Sequence, residues 1–315
     1  MKKVVVGFGA LNYDHIYKVN SLAHGDDQVY ITHSHSSPGG SAANAIAGLA
    51  MLDIDSGFIG AVGPDHEGNE ILVHMQELGI ETSKIKAMKV QKTSKVLIFV
   101  DPCGERAMYT LPGASSEFEP QETDIKYLNQ SQYTIISSLP GNKQLENLKQ
   151  IISKIQRNTK IVFMPGGFYS RFGFIKLKNI LLRSDIIVLN CRELKLITGK
   201  KYSSGVKWLI NNGCKLVLVT LGDSGCLIRD ENGQTEIPTV KLPKSKVIDS
   251  TGAGDAFTAG LIYGLLTDRS IFGAAFIGNL AGRCCVQCVG ARTNLPTKKV
   301  LEKQFKKYSK VITNG

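Results

Sequence analysis

Residues 247–260 are Val247-Ile248-Asp249-Ser250-Thr251-Gly252-Ala253-Gly254-Asp255-Ala256-Phe257-Thr258-Ala259-Gly260, the most specific segment of the chain. A strand-like approach precedes the glycines, and the small and apolar residues from Asp255 onward predict a helix that continues to about Leu266. The unpaired amides at a helix start attract anions, and glycines let a phosphate approach the backbone closely. We therefore predict that Gly252, Ala253 and Gly254 form an anion hole.

Asp255 is an acidic residue beside this predicted anion hole. Its charge would repel a bound polyphosphate, but a carboxylate at this place can accept the proton of a hydroxyl group that attacks the phosphate. We therefore predict phosphoryl transfer with Asp255 as the catalytic base. The alternative from the same residues is that Asp255 only caps its helix.

Short β-branched runs alternate with helical patterns along the chain. The strand-like runs are Val4–Phe8, Phe58–Val62, Val96–Val100, Thr134–Ser137, Ile161–Met164, Ile186–Leu189 and Leu216–Thr220, and clear helical segments are Glu67–Leu78, Gln144–Ile155 and Arg192–Thr198. Strands that are apolar on both faces and separated by helices are typical of parallel sheets covered on both sides. We predict an α/β fold with a doubly wound, mostly parallel sheet and helices on both faces.

Two segments lack the intervening helices. Asn12–Asn20 is followed by Gln28–Ser34, and Lys95–Val100 by Arg106–Leu111, each pair around a turn signal. These pairs predict a small antiparallel β lid, with segments at about 12–36 and 92–112, on a single domain of residues 1–315. Its exposed edge is a predicted surface for a homodimer.

The composition favours a protein that binds small anions. Lys and Arg outnumber Asp and Glu by 38 to 27, a net charge of +11. Much of this charge follows helical spacing without interleaved aromatic residues, so we do not expect nucleic-acid binding. No signal-peptide core and no run of eighteen apolar residues is present, and the seven cysteines, four of them scattered singly, do not resemble a disulfide framework, so we expect a cytoplasmic protein without a membrane span.

Two signatures resemble the ribokinase family, the phosphofructokinase-B-type carbohydrate kinases. Asp249 to Asp255 is similar to the C-terminal signature, and Gly39-Gly40-Ser41-Ala42-Ala43-Asn44-Ala45 to the N-terminal one. The resemblance implies a ribokinase-like fold and an ATP-dependent phosphotransferase that acts on a hydroxyl of a sugar or sugar-containing molecule, with Asp255 as general base. Nucleoside kinases and sugar-phosphate kinases of the same family stay open as alternatives.

The resemblance also implies a nucleotide side of the site. Residues in matching positions would bind ATP, and Asn190 and Glu193 would place Mg²⁺, in part through water. Asp249 and Thr251 would hold a monovalent cation such as K⁺. The alternative for Glu193 is that it only occupies the first turn of a helix. The alternative for Asn279 is that it serves its own helix and does not contact the nucleotide. The implied nucleotide-binding residues are Asn190, Thr220, Gly222, Gly225 and Asn279.

The acceptor side is predicted from residues that follow the first strand, where open α/β sheets place ligand groups. Asp14 can bind two hydroxyls, with Asn12 beside it, and Gly39 and Gly40 would bring backbone close to the substrate. Asn44 would reach inward one turn later. The alternatives are an N-cap role for Asp14 and a packing role for Asn44.

Two features bear on the acceptor's identity. Family members that take free ribose have an acidic residue before a Ser-Pro, whereas this chain has Ser137-Ser138-Leu139-Pro140, which weakens the case for ribose. Arg106, in the predicted lid, would meet a phosphate or a base, or lie on a solvated face. A non-catalytic protein that binds a nucleotide or a sugar is the alternative from a different functional class.

Overall fold

The computed structural model describes residues 4–309, a range that leaves residues 1–3 and 310–315 of the predicted domain outside it. A sheet of nine strands has the order β13-β12-β11-β10-β9-β8-β1-β4-β5, and a smaller sheet has the order β3-β2-β6-β7. The strands are β1 (Val5–Phe8), β2 (Asn12–Val19), β3 (Ile31–Gly39), β4 (Ser56–Val62), β5 (Ile85–Ala87), β6 (Ser94–Val100), β7 (Arg106–Leu111), β8 (Tyr133–Ser137), β9 (Lys160–Met164), β10 (Ile186–Asn190), β11 (Val217–Thr220), β12 (Cys226–Arg229) and β13 (Gln234–Ile237).

Helices cover both faces of the large sheet. They are α1 (Ser41–Ala50), α2 (His66–Glu77), α3 (Gly113–Ser116), α4 (Glu122–Leu128), α5 (Asn142–Lys154), α6 (Gly166–Ser170), α7 (Gly173–Arg183), α8 (Cys191–Thr198), α9 (Tyr202–Asn211), α10 (Ala253–Leu266), α11 (Ile271–Cys285) and α12 (Lys298–Tyr308). Val5 packs into one core with α1, α2, α10 and α11, while Val6 and Phe8 pack into a second core with α5, α7, α8 and α9. The predicted doubly wound sheet is confirmed. No helix within residues 4–309 has the length and apolar character needed to cross a membrane.

The large sheet is parallel from β11 to β5, and β12 runs antiparallel to both of its neighbours. The central strands were predicted to within about two residues because each is a continuous apolar run. The edge strands β5 and β13 and the neighbouring strand β12 were missed. They are three or four residues long, and β13 is largely polar and exposed, so no apolar pattern marks it.

The smaller sheet contains the two predicted antiparallel pairs, β2 with β3 and β6 with β7. A parallel pairing of β2 with β6 joins them, which the sequence did not predict. The second strand was predicted at Gln28–Ser34 but lies at Ile31–Gly39, because its ladder with β2 continues until Gly39 pairs with Asn12. We call this four-stranded sheet the lid.

The approach to the helix α10 differs from its prediction. Residues 247–251 form no strand; instead the amides of Ile248 and Asp249 both donate to the Val286 carbonyl, just past the end of α11. Helix α11 ends at Cys285, one residue before Val286. This crossing ties the loop before α10 to the chain segment that follows α11.

Helices α10 and α11 pack closely through glycine. A Cβ atom on Gly260 would lie 2.8 Å from the Ile277 carbonyl oxygen and 2.9 Å from the Gly278 Cα. Both obstacles are backbone atoms, which cannot move aside as a side chain can. The close approach therefore sets the position of α10 and of Asp255 in its first turn.

We expect Gly260→Ala to lower the free energy of unfolding by about 1–3 kcal/mol, because the added methyl forces the two helices apart. Gly273→Ala, near the start of α11, is the matched control: its Cβ would have no neighbour closer than 3.5 Å, so alanine's better helix propensity should leave stability unchanged or raised. Thermal and denaturant unfolding of both variants measures the difference. Equal stability of the two would contradict the close packing.

Candidate active site

A cleft of about 690 Å³ lies between the lid and the carboxyl ends of the central strands. Its lining includes residues at or just after the ends of β1, β8, β9, β10 and β11, together with a lid surface formed by Val96, Ile98, Arg106, Met108 and Thr110. Strand β1 lies between β8 and β4, where the strand order reverses. This is the position at which open α/β sheets bind ligands.

The structure brings most of the predicted site residues to this cleft. Those that line it are Asn12, Asp14, Gly40, Asn44, Arg106, Asn190, Glu193, Thr220, Thr251, Gly252, Gly254 and Asp255. Gly39, Asp249 and Ala253 lie within two residues of lining residues along the chain. Gly222, Gly225 and Asn279 do not line it.

The start of α10 has the geometry of an anion site. Gly252 caps the helix with φ 77°, and a Cβ there would collide with Ala291, so only glycine fits. The Ala253 amide turns back to the Ser250 carbonyl oxygen at 3.3 Å. Within the described residues, the amides of Gly252, Gly254 and Asp255 have no acceptor, so two of the three predicted donors are unpaired and Asp255 adds a third.

Asp255 is the third residue of α10, and its carboxylate lines the cleft. Burial raises the pKa of this carboxyl group to about 7, the hydrogen bond from Asn44 lowers it, and the charges of Glu193 and Asp14 raise it. The Asn44 Nδ2 atom donates to Asp255 Oδ2 over 2.8 Å. A carboxyl group with a pKa near 7 is suited to take up a proton near neutral pH.

The acceptor half of the cleft contains polar atoms without protein partners. Asp14 points from β2 into the cleft and is only 7% exposed, and burial raises the pKa of its carboxyl group to about 7. The Asn12 Oδ1 atom is buried without a hydrogen-bond partner. Gly39 and Gly40 lie against Asp14 and the Ala10 carbonyl so closely that neither has room for a side chain. Asp14 is thus a strand residue rather than a helix cap.

Arg292 is a site residue for which the sequence analysis predicted no role. Its Nε atom donates to Asn44 Oδ1 over 2.8 Å, and its Nη2 atom donates to the Gly39 carbonyl oxygen over 3.0 Å. Its charge lowers the pKa of both Asp14 and Asp255. The signal that was available is a lone arginine in the stretch Gly290-Ala291-Arg292-Thr293-Asn294, between small and polar residues.

Of the residues expected at the nucleotide side, some line the cleft and others do not. Asn190 and Glu193 form a reciprocal capping box at the start of α8, each side chain accepting from the other's amide at 2.9 and 3.0 Å. Gly222 and Gly225, both with positive φ, flank the short turn after β11, and Thr220 ends that strand. Asn279 donates to the carbonyl oxygens of Ile237 and Pro238, which fastens α11 to the end of β13.

Asp249 organises the loop before α10. Its Oδ1 atom accepts from the Thr251 amide at 2.9 Å and from the Thr251 hydroxyl at 2.7 Å, and its Oδ2 atom accepts from the Gly290 amide at 2.9 Å. From the lid, Arg106 Nη1 donates to Thr251 Oγ1 over 2.9 Å. This bond places the positively charged side chain of Arg106 against Thr251, the residue that precedes the predicted anion hole.

The chain is similar to known carbohydrate kinases over most of its length. A family model described as pfkB family carbohydrate kinase matches residues 1–298. An uncharacterized sugar kinase from Archaeoglobus fulgidus is 31% identical over 249 residues, which is 79% of this chain and 98% of that protein. An ATP-dependent ribose-1-phosphate kinase from Halopiger xanaduensis is 27% identical over 291 residues, covering 92% of this chain and 94% of that one.

The fold is shared with solved structures. The structure of Arabidopsis thaliana ribokinase complexed with ribose and ATP superimposes with a TM-score of 0.83 at 21% identity, covering 97% of this chain and 99% of the other. The family model spans almost the whole chain, including both signatures that carried the resemblance. The chain therefore belongs to the pfkB family of carbohydrate kinases.

Proposed function

We propose that this chain is an ATP-dependent kinase that phosphorylates a hydroxyl of a sugar or of a sugar-containing molecule, with Asp255 as general base. The observation that carries the proposal is the position of the Asp255 carboxylate in the cleft, in the same helix turn as the unpaired amides of Gly254 and Asp255. A proton acceptor and an anion site thus share one helix start, as phosphoryl transfer to an alcohol requires. The family membership supports the same activity.

The proposed reaction needs one proton transfer and one displacement. Ionised Asp255 takes the proton of the acceptor hydroxyl while the hydroxyl oxygen bonds to the terminal phosphorus of ATP. The bond from that phosphorus to the bridging oxygen breaks, and ADP leaves with the electron pair. The amides at the start of α10 stabilise the negative charge on the transferred group, and Arg106 reaches the same place from the lid.

We place the nucleotide over the ends of β10 and β11, near Thr220 and the Gly222–Gly225 turn, and Mg²⁺ near Asn190 and Glu193. Burial raises the pKa of the Glu193 carboxyl group, which a bound cation would reverse. No cluster of three or more metal-ligating side chains occurs within residues 4–309. A single carboxylate fits Mg²⁺, which keeps most of its ligands as water and phosphate oxygens. Asn279 acts by holding β13 beside this region.

Potassium at Asp249 and Thr251 fits less directly. Both carboxylate oxygens of Asp249 and the hydroxyl of Thr251 are already engaged with protein donors. A potassium ion would therefore depend on backbone oxygens of the two adjoining loops. We assign no step of the reaction to it.

The acceptor half suits a molecule with several hydroxyls. Asp14 and Asn12 supply unpaired oxygen acceptors, and Asn44 and the backbone of Gly39 and Gly40 border the same space. Asp255 faces this half through its bond to Asn44. A neutral sugar or the ribose of a nucleoside meets these requirements.

A phosphorylated sugar is a second candidate, because a specific observation favours it. The cleft has Ser138 where ribose-type members have a carboxylate, and Arg171 and Arg106 also line it. Two arginines in the cleft, together with the loss of that acid, suit an anionic acceptor, and the Halopiger relative is named for one. A non-catalytic binding protein would have no use for a proton acceptor at Asp255.

The lid also offers a surface for self-association. Ile31 and Leu111 of the lid, and Tyr30 just before it, are all at least 49% exposed and do not line the cleft. Apolar exposure of this extent is typical of contact surfaces. We propose a cytoplasmic enzyme that forms a homodimer through the lid and binds neither nucleic acid nor membranes.

Asp255→Asn should lower kcat by about 10²–10⁴-fold, because the amide cannot take up the hydroxyl proton. In the unmodified protein, kcat/KM should rise with pH to a plateau with a midpoint near pH 7, since below its raised pKa of about 7 Asp255 is protonated and cannot act as base. The variant should lose this rise. Asp268→Asn, just past the far end of the same helix, is the control. Wild-type turnover in folded Asp255→Asn would refute the proposed base.

Glu193→Gln should raise the Mg²⁺ concentration needed for half-maximal rate by about tenfold or more, because the glutamine still caps α8 but carries no charge. Titration of Mg²⁺ at fixed ATP measures the shift, and calorimetry of Mg²⁺-ATP binding gives it independently of turnover. Glu146→Gln, an exposed change on α5, should shift nothing. An unchanged Mg²⁺ requirement would remove Glu193 from the metal site.

A coupled ADP-release screen across free sugars, nucleosides and sugar phosphates separates the acceptor classes. If the acceptor is a sugar phosphate, Arg171→Gln should raise its KM by about 10–100-fold by removing a charge-assisted hydrogen bond, with little effect on neutral sugars. Arg157 is exposed and lies just before β9, at the amino ends of the strands, so Arg157→Gln is the control. Equal effects on charged and neutral acceptors would argue against a phosphate at Arg171.

A further inference from the structure

Arg292 lies where three parts of the acceptor site meet. It belongs to the segment between α11 and α12, which Asp249 holds in place through the Gly290 amide. The guanidinium group binds the side chain of Asn44 in α1 and the backbone of Gly39 at the end of β3. Asn44 in turn binds Asp255. A continuous chain of hydrogen bonds therefore runs from Arg292 to the proposed base.

We propose that Arg292 is a positioning residue for the transfer step: it fixes the orientation of the Asn44 amide and thereby of the Asp255 carboxylate, and its positive charge favours the ionised form of Asp255. This inference rests on the proposed function, in which Asp255 is the base. Arg292 does not line the cleft, and it acts on the reaction through Asn44 and through its charge.

The chemistry of the partners permits only one orientation of Asn44. Arginine has only donors, so it must face the amide oxygen; an ionised carboxylate has only acceptors, so it must face the amide nitrogen. The distances match this assignment, with 2.8 Å from Arg292 Nε to Asn44 Oδ1 and 2.8 Å from Asn44 Nδ2 to Asp255 Oδ2. Without Arg292 the amide is free to turn over, and its oxygen would then repel the carboxylate.

The charge of Arg292 has an equally direct role. Burial and the charges of Glu193 and Asp14 raise the pKa of Asp255, and Arg292 is the cation that lowers the pKa of both Asp14 and Asp255. Burial lowers the pKa of the guanidinium group to about 10, so it stays charged at neutral pH. The other titratable neighbours are His74, 3.4 Å from Nη1, whose pKa burial lowers, and the Cys285 thiol, whose pKa burial raises. Neither supplies a charge near pH 7.

Two substitutions separate charge from orientation. Arg292→Gln keeps a donor for Asn44 but has no charge, so the pKa of Asp255 should rise and the acid limb of kcat/KM should move to higher pH by about one unit or more. Arg292→Lys keeps the charge but not the planar fork, so the limb should stay near its wild-type position while kcat falls by about tenfold or more. The pH profile is the readout that a merely structural role of Arg292 would not move.

Arg183→Gln is the matched control. Arg183 is also partly buried and also donates to backbone carbonyls, those of Ile155 and Gln156. It lies just before β10, at the amino ends of the strands and away from the cleft. Its substitution should lower the melting temperature without moving the acid limb. An Arg292→Gln profile that superimposes on the wild type, in folded protein, would overturn the charge role, and wild-type kcat in Arg292→Lys would overturn the orientation role.

A double-mutant cycle decides the question if Arg292→Gln does not fold. Arg292→Lys and Asn44→Ser should not be additive in kcat, because either change breaks the same chain of hydrogen bonds. Additive losses would overturn the proposal. Asp255→Asn keeps the outcomes distinct. If that variant is inactive and the substitutions of Arg292 change nothing, only the present inference fails. If Asp255→Asn is active, the proposed function itself fails.

Discussion

The site depends on the desolvation of the Asp255 carboxylate at the start of α10. Burial makes its charged form costly, and the structure offsets this cost with the amide of Asn44 and the nearby charge of Arg292, while Glu193 and Asp14 act in the opposite direction. The balance leaves a carboxyl group with a pKa of about 7. A base that is ionised only in part at neutral pH is also a base that binds a proton well enough to remove it from an alcohol.

The fold serves this balance by fixing α10. Gly260 packs closely on α11, and Gly252 lies so close to Ala291 that a side chain would not fit. These two contacts leave the helix little freedom to shift. Asp249 joins the loop before α10 to the segment after α11, which also carries Arg292. The proposed base, the unpaired amides beside it and Arg292 therefore lie on segments that hydrogen bonds join, and the lid adds Arg106 from the other side of the cleft.

Local sequence patterns predicted the strands and helices that nearby residues determine. The central strands are apolar runs, and the start of α10 is marked by Gly252 and by the residues after it, so both were found in the sequence. Arg292 was not, because its partners Asn44 and Gly39 lie 248 and 253 positions away and only the tertiary fold brings them together. The parallel pairing of β2 with β6 was missed for the same reason, whereas the edge strand β13 was missed because it is polar and exposed.

The most direct test of the account is the pKa of Asp255 itself. Carbon-detected NMR of protein labelled at aspartate carboxyl groups, compared with Asp255→Asn to assign the signal, follows this one group through a pH titration. The account predicts a carboxyl resonance that titrates near pH 7 and is missing from the variant. An Asp255 resonance that titrates near pH 4, the ordinary value of about 3.9 for an exposed aspartate, would contradict it.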